Sequence, residues 1–463
     1  MNIIGASEPA IRLTRELPFL VLLIAYASFA LSLDNAPLQD LPNHLARAHI
    51  IGDLLFKNGA TFGRDFRVDL SFNPYLSGDL ILALLDLWTG SRWAARLWIA
   101  TSVLLLPLGV RFALNALEIP RGSVITGGIL SLYIATSWCF TMGFLNYELA
   151  IGCAAFAYGW FLRTRESNSL GAWSGYVLWL FLGYAMHLSA IVFIGTFVAA
   201  SLLLPVLRRE MSALGAAMLL APPCLLFLLH MGISNHSAPG DWPTSWGTVA
   251  SKLKFLGSPV VRFDVAPDMA LFVAWICVVL LPVFRRRRGD ARRTMPLWLS
   301  AAAFLGLYFA LPSTTGNIAW VDVRALPSAL LFVVFAGVLA ASHSPRLQVA
   351  QLTAACLVVA ANLAHLAAIL EPENRALGSY RMIAAMVPAG ATVLPVVSRP
   401  PLGRCRPFES AGSYVTLDAA AMTPYLFAAD QNPPMAYFRY VDRGYDPSVY
   451  WYEFGKPGQA GST

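Results

Sequence analysis

The stretch Asp34–Arg47, DNAPLQDLPNHLAR, holds the residues best suited to chemistry. Asp40 stands just before Pro42, and an amphipathic pattern starts there. Asp is a favoured helix cap and Pro a favoured first-turn residue, so one reading makes Asp40 only a cap. The other makes it a carboxylate at a helix N-terminus, where the dipole favours the ionised form, able to take a proton from a hydroxyl. His44 and Arg47 follow at spacings of four and three, so all three share one helix face.

Three further places carry candidate residues. Thr141–Gly152, TMGFLNYELAIG, puts Glu148 beside Asn146 and Tyr147 at the end of an apolar hairpin. A carboxylate there is costly unless paired or hydrated, and the plain alternative is a solvated turn. Trp320–Pro327, WVDVRALP, places Arg324 and Asp322 at the entrance of an apolar run. A guanidinium there can fork onto a phosphate, or it can pair with Asp322 or snorkel. His187, in GYAMHLSA, is a lone histidine among apolar residues, usually a hydrogen-bonded structural one but also a substrate-binding candidate. Asp79 interrupts the apolar run Tyr75–Trp88 and is a further binding candidate.

The elements that must position these residues are membrane helices. The chain has 463 residues, 57% hydrophobic and 13% charged, with mean hydropathy +0.59. Repeated apolar runs near 20 residues predict a polytopic all-α membrane protein. The net charge of +7 comes from short Arg clusters between the runs, the pattern of cytoplasmic turns rather than of a nucleic-acid surface. The six cysteines include no CxxC, and only Cys405 lies outside an apolar run, so no structural disulfide is expected within the monomer.

Counting from a retained N-terminal anchor at Pro18–Leu33, the runs give about eleven spans. These are Leu97–Leu117, Val124–Thr141, Glu148–Leu162, Trp173–His187, Leu188–Leu207, Ala213–Met231, Asp268–Phe284, Pro296–Leu311, Val323–Ser342 and Leu347–Leu370, after the anchor. Every strong Arg cluster then falls on one side, including RRRRGDARR at 285–293. The first loop, 34–96, is external; its seven Asp from Asp34 to Asp86 face only four cations, Arg47, Lys57, Arg64 and Arg67. Leu45, Ala48, Ile51 and Leu54 recur at helical spacing, predicting an amphipathic helix on the membrane surface. Tyr75–Trp88 is too short and charged to span and reads as interfacial or re-entrant. Loop 232–267 is a second external loop, a candidate lid, holding His236, Asp241, Lys252, Lys254 and Arg262 close after His230; no zinc spacing is present. Residues 1–370 thus form the transmembrane domain, and 371–463 a small external C-terminal α/β appendage with β-prone pieces at Thr392–Val397 and Ser413–Leu417.

An early external Asp on a loop helix, an apolar Pro-containing helix, a Gly-x-x-x-Ala-Arg turn and a long span resemble the integral-membrane type C glycosyltransferases (GT-C). The matching residues are Asp40 with LPNHLARAHII, NPYLSGDLILALLDLW at 73–88 and TGSRWAARLW at 89–98. The resemblance covers residues 17–120 by motif and the rest by topology. It implies transfer of a sugar, with inversion, from a polyprenyl-phosphate carrier to a glycan, lipid or protein acceptor on the external face of a bacterial inner membrane. The N-terminus would be cytoplasmic and the C-terminus periplasmic. Asp40 would be the general base, Arg324 would neutralise the departing phosphate, and His44, Arg47, Asp79, Glu148 and His187 would bind substrate. The sequence establishes no cofactor, and a divalent metal is left open. Family members often carry paired acids, Asp-Glu, in this loop; here Leu41 follows Asp40.

Two rivals remain at this point: a transporter or flippase for lipid-linked saccharides, and a non-catalytic membrane assembly protein. A transporter uses charges along a path through the membrane and paired broken helices, of which the sequence shows little. No phosphate loop, dinucleotide fingerprint, HExxH or GxSxG is present, which argues against a nucleotide-driven engine.

Overall fold

The computed structural model describes residues 8–68, 70, 74, 76–234, 244–285, 291–315, 318–396, 401–423, 426 and 435–437. Sixteen α-helices dominate these residues and strands are few. In chain order they are α1 (Glu8–Ser32), α2 (Leu41–Phe56), α3 (Leu76–Thr89), α4 (Ser91–Asn115), α5 (Arg121–Ala135), α6 (Trp138–Thr141), α7 (Leu145–Ser167) and α8 (Leu170–Met186). There follow α9 (Ser189–Leu207), α10 (Ala213–Ser234), α11 (Val249–Phe255), α12 (Val265–Phe284), α13 (Ala291–Ala310), α14 (Ala325–Ala341), α15 (Pro345–Ala384) and α16 (Tyr414–Ala419). A helix stands at each of the eleven apolar runs, though the run from Val124 breaks at Thr136–Ser137, between α5 and α6.

Local chemistry sets several of the helix starts. The hydroxyls of Ser169, Thr248 and Ser344 and the carboxylate of Asp264 accept backbone N–H groups at the starts of α8, α11, α15 and α12. Five helices, α4, α9, α10, α12 and α15, are long and apolar enough to cross a membrane, and the chain is a helical membrane protein. The large apolar side chains exposed on α10, such as Leu214, Leu225 and Leu228, suit contact with lipid. By contrast α3, with 14 residues, is about 21 Å long and falls short of a bilayer's roughly 30 Å.

Packing between helices uses small residues and buried polar ties. Gly109 of α4 lies so close to α7 that a Cβ there would come within 2.8 Å of the Gly152 carbonyl oxygen. Tyr26 of α1 donates to the Val359 carbonyl of α15 at 3.0 Å and accepts from Asn362, which also reaches Thr136 at the end of α5. At the opposite end of these helices, Glu16 of α1 holds Arg111 of α4 and Arg121 of α5.

Helix α15 has 40 residues, about 60 Å, twice the thickness of a hydrocarbon core. The boundary expected at residue 370 therefore falls inside one unbroken helix. Its far half carries Asn374, which accepts from the Asn35 backbone at 2.7 Å, and Arg381, which pairs with Asp418 of α16 and reaches Asn35 and Ser91. Leu377 and Ala384 pack there with Ala411, Tyr414, Val415 and Ala421. The C-terminal segment thus lies directly on the first loop. A short strand in that loop, β1 (Phe66–Val68), pairs antiparallel with β4 (Met435–Tyr437), with Phe66 opposite Tyr437. The other two strands, β2 (Thr314–Thr315) and β3 (Ile318–Ala319), form a small hairpin before α14.

Two expectations are corrected. Residues 414–417, read as β-prone, belong to α16, because Tyr414 and Val415 turn onto the α15 core. Helix α2 is not an amphipathic surface helix. Eleven of its sixteen residues are buried, enclosed by α3, β1, α16 and the turn before it.

Candidate active site

Asp40 is fixed first by its backbone. Its N–H donates to the Met142 carbonyl at 3.0 Å, and the Gln39 N–H donates to the Thr141 carbonyl at 3.1 Å. The turn between α6 and α7 makes this approach through Gly143, at φ +81°, where a Cβ would meet the Asp40 and Leu41 nitrogens at 3.0 Å. Only glycine suits both the dihedral and the space. Two separate candidate stretches of the sequence, 34–47 and 141–152, are therefore one structural unit.

The Asp40 carbonyl accepts from the His44 N–H at 3.2 Å and starts α2. Its carboxylate makes no capping bond, so the reading of Asp40 as a simple cap fails. The side chain is half-buried, and its pKa is pushed up to about 7, first by burial and then by the negative charge of Glu409, with Arg324 opposing. A carboxylate of that proton affinity is well matched to accepting a proton near neutral pH.

Arg324, at the N-terminus of α14, is the opposing charge. Its carbonyl accepts the Tyr147 hydroxyl at 2.7 Å, and its guanidinium lies 4.5 Å over the Phe144 ring. Its Nε has no hydrogen-bond partner, and among the described residues the guanidinium forms no ion pair. The alternative Asp322–Arg324 pair does not form. Asp322 is used by Lys252 at 3.3 Å, Ser313 at 2.8 Å and the Val323 N–H at 2.9 Å.

Two cations of the 232–267 loop, Lys252 and Arg262, are structural. Lys252 of α11 donates to the Tyr308, Phe309 and Leu311 carbonyls at the end of α13, closing that helix. Arg262 gives Nε and Nη2 to Asp268 and Nη1 to the Thr136 carbonyl, while His365 also reaches Asp268 at 3.2 Å. His236 and Asp241 lie outside the described residues.

Glu148 is not on a solvated turn. It is buried in the first turn of α7, and the Ser137 hydroxyl donates to it at 3.4 Å. His187 caps the entry to α9, its Nδ1 accepting the Ser189 N–H at 3.1 Å, and its ring meets the edge of Tyr147. Glu148 and His187 thus flank Tyr147, the residue that holds the Arg324 backbone.

Arg47 does not orient Asp40. Its Nη2 donates to Asp79 of α3 at 2.7 Å and to His44 Nδ1 at 3.2 Å. The acceptor role at Nδ1 assigns the His44 proton to Nε2. Burial, then Arg47, lowers the His44 pKa to about 3, so the ring is neutral. Burial raises Asp79, against the pull of Arg47. This second cluster braces α2 against α3. Gly78 then backs onto Asn146 of α7, where a Cβ would lie 2.9 Å from its amide nitrogen.

Two groups escaped the sequence reading. Glu409 comes from the C-terminal segment, with no motif around it; the one signal was Leu41, standing where a paired acid would. The second is an aromatic row: Phe144, Trp138, Trp320 and Phe255 meet edge to face at 5.1–6.0 Å. Arg404 lies 4.9 Å over Phe255, and Trp320 holds φ +61°, a costly conformation for a bulky residue. Among the described residues no group of three or more His, Cys, Asp or Glu could hold a metal ion. No family model, curated protein or solved structure matches the chain.

Proposed function

We propose that this protein is an inverting membrane glycosyltransferase that moves a sugar from a polyprenyl-phosphate carrier to an external glycan, lipid or protein acceptor. Asp40 is the base that takes the acceptor hydroxyl proton, and Arg324 stabilises the phosphate charge that develops as the carrier leaves. The observation that carries this reading is a carboxylate poised near neutrality in the field of a half-buried guanidinium that has no ion pair among the described residues. A guanidinium left without a carboxylate partner in such a place is suited to a ligand anion.

In this reading the chain has eleven spans, with the Arg-rich turns cytoplasmic and Asp40 on the periplasmic face of a bacterial inner membrane. Accessibility of probes placed at residue 40 and in the turns at 209 and 346 tests that orientation. Purified protein in nanodiscs, given polyprenyl-phosphate carriers with labelled sugars, should release or transfer label. Absence of both with every sugar tested sinks the proposal, and movement of intact carrier across the bilayer would replace it with the flippase reading.

A further inference from the structure

We propose that Arg404, seated at one end of the aromatic row, is a second anion subsite, and that it receives the phosphate or carboxylate of an acidic saccharide acceptor. The assignment to the acceptor rests on the glycosyl-transfer reading; the anion subsite itself does not.

The chain fixes Arg404 by its backbone. The Leu402 N–H donates to the Cys405 carbonyl at 2.8 Å and the Cys405 N–H to the Leu402 carbonyl at 3.1 Å, closing a tight turn with Gly403 and Arg404 at its tip. Gly403 holds φ +60°, and a Cβ there would run into the Phe263 carbonyl. The Arg404 N–H donates to the Arg262 carbonyl at 3.2 Å, and the Arg404 carbonyl accepts the Trp138 indole N–H at 3.4 Å. The turn is thus tied both to the loop before α12 and to α6. A tip held at this many points presents one side chain in one place.

That side chain lies 4.9 Å over the Phe255 ring and 5.9 Å over the Trp138 ring. Arg404 is half-buried, and among the described residues its guanidinium has no ion pair and no hydrogen bond. Burial lowers its proton affinity, with Tyr308 opposing. The acids of the neighbourhood are committed elsewhere. Asp322 serves Lys252, Ser313 and the Val323 N–H, and Glu409 faces Arg406. Stacking on rings uses the face of a guanidinium and leaves its five in-plane donors unused. Such a fork, half out of water and without a carboxylate, is suited to an oxyanion.

Arg324 stands in the same condition on Phe144, at the other end of the row. The proposed function gives Arg324 the carrier phosphate, which leaves Arg404 to the second substrate. Its anchoring agrees. The Cys405 thiol donates to the Thr141 carbonyl, the oxygen that also receives the Gln39 N–H. Arg404 and Asp40, the base for the acceptor hydroxyl, are each one residue from that shared oxygen.

Phenylglyoxal, which condenses with free guanidiniums, tests the subsite without turnover on the full-length protein in nanodiscs, read by peptide mass spectrometry. Glucuronate and a hexose phosphate are the anionic probes, and glucose is the neutral one. Arg404 should react, and either anion should suppress most of that reaction while glucose leaves it unchanged. Arg404 that never reacts overturns the proposal, as does failure of both anions or equal shielding by glucose. Polyprenyl phosphate in the nanodisc should shield Arg324 and leave Arg404 reactive. Shielding of both by the carrier makes them one phosphate clamp and overturns the second subsite. With the labelled donor, Arg404→Gln should raise KM for an acidic acceptor by about tenfold or more and leave the donor KM unchanged. The neutral amide of the same acceptor should lose nothing, and Arg404→Lys should recover part of the loss. A purely structural Arg404 would impair both acceptors alike, which overturns the acceptor assignment. If Arg404→Gln does not fold, wild-type shielding decides. Wild-type protein with no turnover at all refutes the transfer reading and leaves the shielding result standing.

Discussion

Arg262 and Arg324 stand near the same turn of the bundle, yet they are opposite in condition. Arg262 is buried and uses Nε, Nη1 and Nη2, with Asp268 also drawing on His365 and two backbone N–H groups. Arg324 has a ring beneath it and an unused Nε. The first is what burial of a charge requires when the charge serves the fold. The second leaves a buried donor unsatisfied, a cost that folding alone gives no reason to retain. The difference separates a cation that holds helices from one to which the proposed function gives a ligand.

The largest expected effect breaks the site at its base. Asp40→Asn should lower transfer by about 10²- to 10⁴-fold in a labelled-sugar assay, with the protein still folded and inserted. The same change should raise the melting temperature. The folded state holds the Asp40 proton more tightly than the unfolded chain does, so wild-type stability from this group is intact below pH 4 and is lost as pH rises toward 7. The gain in Asp40→Asn should therefore be greatest above pH 7 and vanish in acid. A melting curve with no pH-dependent difference would contradict the raised proton affinity.

Arg324→Ala comes next, with a loss of about 10²- to 10³-fold that falls on use of the lipid donor more than on acceptor binding. Equal loss for both would remove the phosphate role. Arg262→Ala should do the reverse. It should cost about 3–5 kcal/mol of stability, read as lost folded yield or a lower melting temperature, because it strands the Asp268 charge. Arg262→Ala protein that melts like wild type but fails only with donor would erase the contrast between the two arginines. The smallest effect is at the hinge of the site. Gly143→Ala should destabilise by upwards of about 1 kcal/mol and lower turnover through displacement of Asp40.

The helices were the most legible part of the sequence, because a bilayer forces long apolar runs and turns rich in Arg. Asp40 and Arg324 drew notice as candidates, since a charge at the edge of such a run is conspicuous. What Asp322, Arg47 and Lys252 do was not. Each chooses among partners that lie far off in sequence, and the nearest one, such as Asp322 for Arg324, is not the one taken. Glu409 was hidden for the same reason. Its neighbours Arg406 and Ser410 are polar loop residues whose meaning comes only from Gln39 and Asn43. The burial of α2 likewise depends on a C-terminal segment that its own pattern cannot announce.

The register between residues 39–43 and 406–410 also sets a clock. Asp40 precedes Glu409 by 369 residues. At about 5–20 residues per second, roughly 20 to 70 seconds separate them on the ribosome. Through that interval the bundle grows without the segment that closes over the start of α2, and Arg324 is made before that segment. A nascent chain halted before residues 406–410 lacks the contacts to Gln39 and Asn43 on either side of Asp40, so on the proposed function it would be inert rather than slow.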